Sequence, residues 1–171
     1  MCCNNCSGSN SRRGFTLLEL IVTAAVMAVL VTSAAFVLRS SQTAWAVTDA
    51  DRAQLEAAYG TIRHITRYVR QAEAITAITD SSQPSGSLTL QLPDGSSHTW
   101  SHSGSTVSYG SPTPTSVLAE GITELTLQGY LADSTTPTSQ PENVQLVHLT
   151  LRVPTQGGDR VLTAWIWVRS W

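Results

Sequence analysis

The segment that decides the fold is the apolar stretch at residues 15–38, which reads FTLLELIVTAAVMAVLVTSAAFVL and carries one charge, on Glu19. A helix of that length, rising about 1.5 Å per residue, spans about 36 Å, and the hydrocarbon core of a bilayer is about 30 Å thick. Arg12 and Arg13 precede the stretch and Arg39 follows it. Two arginines before the stretch against one after it favour a single transmembrane helix with its N-terminus in the cytoplasm. The bulk of the chain would then lie outside the inner membrane, on the periplasmic side.

A secretory signal peptide is the main alternative for this segment. Its apolar region would be about 7–15 residues long and would end at a small-residue cleavage site. The stretch at 15–38 is longer, and a helical pattern continues soon after it, but Ala34 and Ala35 form a weak site of that kind. We therefore expect a retained helix, with cleavage near Ala35 as the alternative.

Glu19 is the residue of this segment that needs an explanation. A carboxylate at the centre of a membrane span costs about 2.5–3.5 kcal/mol, and less near a helix end. Glu19 is either tolerated close to the headgroups or neutralised by a cation. If the chain were cut between Gly14 and Phe15, the new α-amine of Phe15 would lie four residues from Glu19, within reach in one helix or between staggered neighbours. Pairing between neighbours would set the axial register of an assembly.

Residues 12–20, RRGFTLLEL, resemble the prepilin N-terminal motif of type IV pilins and type II secretion pseudopilins, in which a basic leader ends in glycine before an apolar helix. The resemblance implies that residues 1–14 are a leader, removed by prepilin peptidase after Gly14. It also implies that Phe15 is N-methylated and that Glu19 sets the register between subunits. The partners it implies are prepilin peptidase, the inner membrane, and other pilin or pseudopilin subunits in a filament or pseudopilus.

The next part of the chain, residues 39–80, keeps a helical pattern. No proline occurs between Phe15 and Gln83, and Gly60 is the weak point of one long helix. The apolar residues that recur every three or four positions, and so form one face, are Leu55, Ala58, Ile62, Ile65, Val69 and Ala72. An amphipathic helix of this kind needs a partner to cover its apolar face, and a β-sheet from the remaining chain is the natural candidate.

The pattern of residues 81–171 predicts a β-rich domain. Short runs in which apolar and polar residues alternate are separated by turn-forming Gly, Pro, Asp and Ser. The predicted strands are 87–92, 99–101, 106–109, 122–130, 144–153 and 160–167, the last two forming a hairpin. A loop rich in Ser, Thr and Pro, Ala132–Asn143, should be exposed and mobile. The predicted fold class is α+β: one long N-terminal helix packed on a small antiparallel sheet.

This layout resembles the pilin fold. Two later sequence segments are similar to segments of J-type minor pseudopilins and W-type minor pilins. The first runs from Ile62 to Ala72, and the second is Val117–Ile122 followed by Leu125–Leu127 and Tyr130. The resemblance implies a non-catalytic minor subunit of a type II secretion or type IV pilus machine. A membrane-tethered envelope protein that binds a ligand through its β-domain is the alternative.

Composition and motifs give no sign of an enzyme, a cofactor or a nucleic-acid partner. The net charge is -2 and the basic residues form no block that could neutralise a run of phosphates. No GxSxG, HExxH or phosphate-binding glycine loop occurs in the sequence. The cysteines, Cys2, Cys3 and Cys6, have no histidine nearby and would be discarded with the leader, so we expect no metal site there.

Three further groups have a functional interpretation and a structural one. His98 and His102 are expected to be a pair on the surface of a hairpin rather than metal ligands. The stripe Arg63, Arg67 and Arg70 is expected to be a solvated face or to form intersubunit ion pairs rather than to bind an anionic ligand. Trp165, Trp167 and Trp171 alternate along the last strand, where packing in the core or between subunits is favoured over stacking on a carbohydrate.

Overall fold

The computed structural model describes residues 15–168 of the 171-residue chain. It divides into two compact units, one extending to Trp45 and the other beginning at Ala46. The described elements begin with one long helix, α1 (Leu17–Val69). The strands that follow are β1 (Ala74–Ile78), β2 (Ser87–Gln91), β3 (Ser97–Ser103), β4 (Thr106–Gly110), β5 (Ser116–Glu120), β6 (Glu124–Tyr130), β7 (Pro137–Thr138), β8 (Leu146–Val153) and β9 (Arg160–Trp167), with a 3₁₀ turn at Pro141–Asn143 between β7 and β8.

The strands form two antiparallel sheets. The first sheet has the order β1-β2-β3-β4-β5, and the second has the order β7-β6-β8-β9. In the second sheet, β8 pairs with β6 from Leu146 to Arg152 and with β9 over its whole length. The sequence predicted a single small sheet, whereas the structure has two, and each presents one apolar face to a shared core.

The core lies within the second unit and is built from the alternating residues of both sheets and one face of α1. The helix contributes Ala58, Thr61, Ile65 and Val69. The largest fully buried side chains of the sheets are Leu88, Leu90, Trp100, Val107, Leu125, Leu127, Leu149, Leu151 and Ile166. The predicted architecture, a long helix packed against antiparallel β-structure, is confirmed. It is a pilin-like α+β arrangement.

The predicted helical segment at 39–80 is wrong beyond Val69. The last turn tightens, with Gln71 N–H donating to Tyr68 O at 3.0 Å, and the N–H of Glu73 then donates to Gln91 O at 2.8 Å, which starts the first sheet. Ile75 is buried and pairs with Leu90 on β2. Val69, Ala72 and Ile75 are spaced by three residues, so the sequence reads as a continuing helical face, but pairing with β2 takes over after Val69.

The predicted strands at 87–92, 99–101, 106–109, 122–130, 144–153 and 160–167 correspond to β2, β3, β4, β6, β8 and β9. Three strands were not predicted as such. They are β1, β5 and the two-residue β7. The residues of β1 were predicted to be helical, and those of β5 were noted only for their similarity to a segment of minor pseudopilins and minor pilins. The prediction therefore missed the outer strands of the first sheet and the short outer strand of the second.

The loop at Ala132–Asn143 is largely exposed, as predicted, and its start is organised by Asp133. The Asp133 carboxylate accepts hydrogen bonds from the Thr136 hydroxyl and from the backbone N–H groups of Thr136 and Thr135. These donors lower the pKa of Asp133 to about 2, because they stabilise the ionised form. The first turn of the loop thus has its own hydrogen-bonded structure.

Candidate functional site

The candidate processing site lies at the start of the described chain. Phe15 is 80% exposed, and Glu19 is in the first turn of α1. The predicted cleavage position Gly14 and the basic residues Arg12 and Arg13 lie outside the described residues. The structure therefore describes only the segment after the predicted cleavage position, which would become the new N-terminus.

Thr16 caps the helix that begins one residue later. The backbone N–H of Glu19 donates to Thr16 Oγ1 at 3.3 Å, and the N–H of Leu20 donates to Thr16 O at 3.2 Å. Thr16 and Glu19 have the spacing of a capping box, and a carboxylate in a first turn is also favoured by the helix dipole. The cap is therefore supplied by Thr16, the carboxylate of Glu19 lies where the helix dipole favours a negative charge, and its intersubunit role stays a prediction. The sequence signal for this capping, Thr-x-x-Glu, was missed.

The first unit has an apolar surface with no cover from the described chain. Its exposed apolar side chains include Leu17, Leu18, Leu20, Ile21, Val22, Val26, Met27, Val29, Leu30, Val31, Phe36, Val37 and Leu38. In length and composition α1 could cross a membrane, and none of its most apolar window is buried. The hydroxyls in this segment are satisfied within the helix, since Thr23 Oγ1 donates to Glu19 O at 2.9 Å and Thr32 Oγ1 to Ala28 O at 2.9 Å. The segment is therefore suited to an apolar environment and fits membrane anchoring.

A cluster of ring side chains connects α1 to the first sheet. Trp100 is fully buried, and its indole Nε1 donates to His64 Nδ1 at 3.0 Å. Tyr109 donates from its hydroxyl to the Tyr68 hydroxyl at 3.1 Å, and its oxygen lies 2.7 Å from His98 Nδ1. This set was missed, because its members come from the helix and from β3 and β4, far apart in the sequence.

The protonation of this cluster favours packing rather than acid-base chemistry. Burial, followed by the charge of Arg67 and the proximity of His98, lowers the pKa of His64, so the neutral ring that accepts from Trp100 is favoured. Burial and the hydrogen bond to Tyr68 raise the pKa of Tyr109 to about 12. The Tyr109 phenol is consequently neutral near pH 7 and acts as a hydrogen-bonding group.

The predicted surface location of the histidine pair is wrong for His102. His98 and His102 share the inner face of β3 with Trp100, and His102 is only 6% exposed. His102 Nε2 lies 2.8 Å from Ile122 O, so this nitrogen carries the proton and donates to that carbonyl. Over residues 15–168, no three His, Cys, Asp or Glu side chains are grouped so as to hold a metal ion.

The tryptophans of β9 face away from the core. Trp165 and Trp167 are 52% and 53% exposed, while Ile166 between them is buried. Trp165 stacks on His148 with ring centroids 4.1 Å apart and lies 5.2 Å from the ring of Tyr130. Of the two kinds of packing predicted for them, packing in the core is wrong for Trp165 and Trp167, and packing between subunits stays a prediction. Trp171 lies outside the described residues.

The arginine stripe lies at the C-terminal end of α1, with all three guanidinium groups exposed. Arg63, Arg67 and Arg70 line a shallow depression together with Thr66 and Gln71. In the described part of the chain no carboxylate lies within ion-pairing distance of these arginines. The depression is therefore a patch of uncompensated positive charge.

Comparison with known proteins gives one match. Residues 9–35 match the family model for the prokaryotic N-terminal methylation motif. Searches of curated proteins and of solved structures returned no match. The matched residues contain the Gly14–Phe15 bond, Glu19 and most of the apolar segment. The chain therefore carries the prokaryotic N-terminal methylation motif at residues 9–35.

Proposed function

We propose that the chain is a minor pseudopilin or minor pilin, a non-catalytic structural subunit of a type II secretion or type IV pilus machine. The observation that carries this proposal is the methylation motif at residues 9–35, which extends into an apolar helix whose side chains the described chain leaves uncovered. A surface of that kind needs lipid before assembly and neighbouring helices after it. A structural subunit requires nothing more of its N-terminal unit.

In this proposal prepilin peptidase cuts between Gly14 and Phe15 in the inner membrane. Residues 1–14 are lost, residues 15–38 form the membrane and assembly helix, and the remainder of the chain lies on the periplasmic side. Methylation leaves the Phe15 amine protonatable, so it can pair with the Glu19 carboxylate of a neighbouring subunit. The pair is favourable because it neutralises a carboxylate that would otherwise be desolvated among apolar helices.

The mass of the mature N-terminal peptide tests this proposal directly. We expect a peptide that begins with N-methylated Phe15 and lacks residues 1–14. A substitution of Gly14 by Val should leave the leader attached, because a bulky side chain would stand at the bond to be cut. A native chain that begins near Ala35, or that keeps its first fourteen residues, would overturn the proposal.

The predicted register role of the Glu19 carboxylate can be separated from the capping of the helix by Thr16. Glu19→Ala should be processed normally but should assemble poorly, because the Phe15 amine of the neighbour loses its counter-ion. Thr16→Ala, which removes the cap and keeps the acid, should assemble much better than Glu19→Ala. Glu142→Ala removes an exposed loop carboxylate and serves as the charge control. Normal assembly of Glu19→Ala would refute the register role.

A membrane-tethered binding module is the second candidate. The exposed rings of Trp165 and Trp167 favour it, and the half-buried rings of His148 and Tyr130 lie against Trp165. Flat aromatic surfaces of this kind can stack on sugar rings or on side chains of an envelope protein. Screening the fragment 46–171 against glycans and envelope proteins, with Trp165→Ala as the control, tests it. Binding that Trp165→Ala abolishes, in a chain that is not processed after Gly14, would favour this candidate.

A further inference from the structure

Within the described part of the chain, the two sheets end in four outer strands, and three of these have a feature that hinders pairing with a further strand. In the first sheet, the pairing of β1 skips Thr76 and the pairing of β5 skips Leu118, so both outer strands carry a bulge. In the second sheet, β7 has two residues, of which one is Pro137. Bulges, prolines and short strands are the usual protection of a sheet edge. The fourth outer strand, β9, has none of them.

The outer strand β9 is long and regular. Every residue from Arg160 to Trp167 is paired with β8 in an unbroken register. The strand contains no proline, and its one charge is on Arg160, its first residue. No described strand lies on its other side. An outer strand with these properties can accept a further strand along its whole length.

The hydrogen bonds at the ends of β8 show which backbone groups of β9 point to the open edge. The N–H of Val168, just after β9, donates to Gln145 O, just before β8, at 2.8 Å. Arg152 O accepts from the N–H of Thr123 on the opposite side of β8, which agrees with this direction. Because backbone groups alternate in direction along a strand, the even-numbered residues of β9 face β8. The N–H groups that face the open edge, here called the edge amides, are therefore those of Val161, Thr163, Trp165 and Trp167.

The side chains of β9 define the chemistry of a segment that would pair with it. Val161, Trp165 and Trp167 lie on the outer face and are 51%, 52% and 53% exposed. Apolar side chains directly opposite them would cover this surface. The guanidinium of Arg160 has no carboxylate within ion-pairing distance in the described chain. The complementary segment is therefore apolar at alternate positions and carries an acidic residue opposite Arg160.

We infer that β9 binds an extended segment of a different subunit, which adds a fifth strand to the second sheet. The added strand runs antiparallel to β9, as do all neighbouring strands of this sheet. The inference rests on the proposed function, which supplies other subunits in a mixed assembly. A second copy of the chain is a poorer partner, because its own β9 has no Asp or Glu to place opposite Arg160.

Amide hydrogen exchange of the full chain tests the inference. The chain is isolated from its membrane once within the assembly and once dispersed alone in detergent, and exchange at single residues is compared by mass spectrometry. The edge amides should exchange at least about a hundredfold more slowly in the assembly, because they gain hydrogen-bond partners. The internal reference is the set of amides already bonded to β8, which should change by less than about threefold. These are the amides of Leu162, Ala164 and Ile166.

Two pairs of variants supply matched controls. Thr163→Pro removes one edge amide and no bond to β8, and it should lower the assembled fraction by about tenfold. Thr163→Ala keeps that amide and should assemble as the wild type does. Arg160→Glu should lower the assembled fraction by about threefold, whereas Arg160→Lys should not. Normal assembly of both Thr163→Pro and Arg160→Glu would overturn the inference, and the exchange measurement decides if Thr163→Pro does not fold.

The outcomes distinguish this inference from the proposed function. A chain that is cut after Gly14 and assembles without added protection of the edge amides refutes the strand addition and leaves the subunit proposal intact. Protection that already appears between copies of the purified chain identifies a second copy as the partner and also refutes the inference. A chain that is not cut and gains no protection refutes both. Protection of the edge amides in a chain that is not cut supports the strand addition and refutes the proposed function.

Discussion

The hydrogen bond from Trp100 to His64 should be one of the main connections between α1 and the first sheet. Trp100→Phe removes the indole donor 3.0 Å from His64 Nδ1 and leaves a partly buried acceptor unpaired. It also leaves unfilled part of the volume that the fully buried indole ring of Trp100 occupies. Loss of the hydrogen bond costs about 1–3 kcal/mol when the remaining partner is unsatisfied, and the unfilled volume adds to it. We expect a total loss of about 2–3 kcal/mol in the free energy of unfolding.

A double-mutant cycle isolates the hydrogen bond from the packing. His64→Phe, Trp100→Phe and the double variant are compared in the fragment 46–171, which contains every described residue of the hydrophobic core. Urea unfolding followed by far-UV circular dichroism gives the free energy of each variant. We expect a coupling energy of about 1 kcal/mol. A coupling energy of zero would refute the connection, whatever the single variants do.

The same interaction gives the fragment a pH dependence with a defined sign. The folded-state pKa of His64 is lowered, mainly by burial, below its ordinary value of 6.5. The unfolded chain therefore binds a proton more readily, and stability should fall as the pH drops below about 6.5 and level off above it. Burial also lowers the pKa of His148, so the comparison is made in a His148→Asn background. In that background, His64→Phe should reduce the pH dependence, and an unchanged dependence would contradict the assignment.

Glycine substitutions and a core truncation test the second unit further. A Cβ at Gly110 would lie 1.7 Å from the carbonyl oxygen of Thr113, so Gly110→Ala should destabilise the fragment by about 3 kcal/mol or more, as measured by urea unfolding. Gly60→Ala is the matched control, because a Cβ there meets nothing within 4 Å in a helix, and it should stabilise by about 0.5–1 kcal/mol. Leu149→Ala, at a fully buried position, should cost about 2–5 kcal/mol, and a cost below 1 kcal/mol would contradict its place in the core.

The elements that could be predicted from the sequence are those whose pattern is local. On β8 the residues Val147, Leu149 and Leu151 alternate with polar ones, and all three are buried in the structure. The apolar stretch after Phe15 likewise needs no knowledge of the remaining chain, and residues 9–35 match the methylation motif. A motif of this kind consists of consecutive residues, so it can be recognised without knowing the contacts made by residues far apart in the sequence.

The end of α1 could not be predicted in the same way. Ile75 is three residues beyond Ala72 and fits a helical face as well as a strand. What decides between them is its pairing with Leu90, fifteen residues further on. The orientation of β9 poses the same difficulty, because alternation places Trp165 and Trp167 on one face without saying which face is buried. The inner face is taken by the smaller Ala164 and Ile166, which fit against the other inner residues of the second sheet.

The proposed pairing of Phe15 with Glu19 of a neighbour complements the apolar contacts between helices. Apolar side chains such as those of 15–38 attract one another without directional preference, so helices of this type can slide past each other at little cost. A charge adds the missing preference, because a wrong displacement would leave the Glu19 carboxylate without its cation among apolar side chains. In the proposed assembly, the pairing of Phe15 with Glu19 of a neighbour sets a displacement of four residues, about 6 Å, along the helix axis. That pair does not determine the rotation between neighbours, so in this proposal the rotation depends on how the apolar side chains pack.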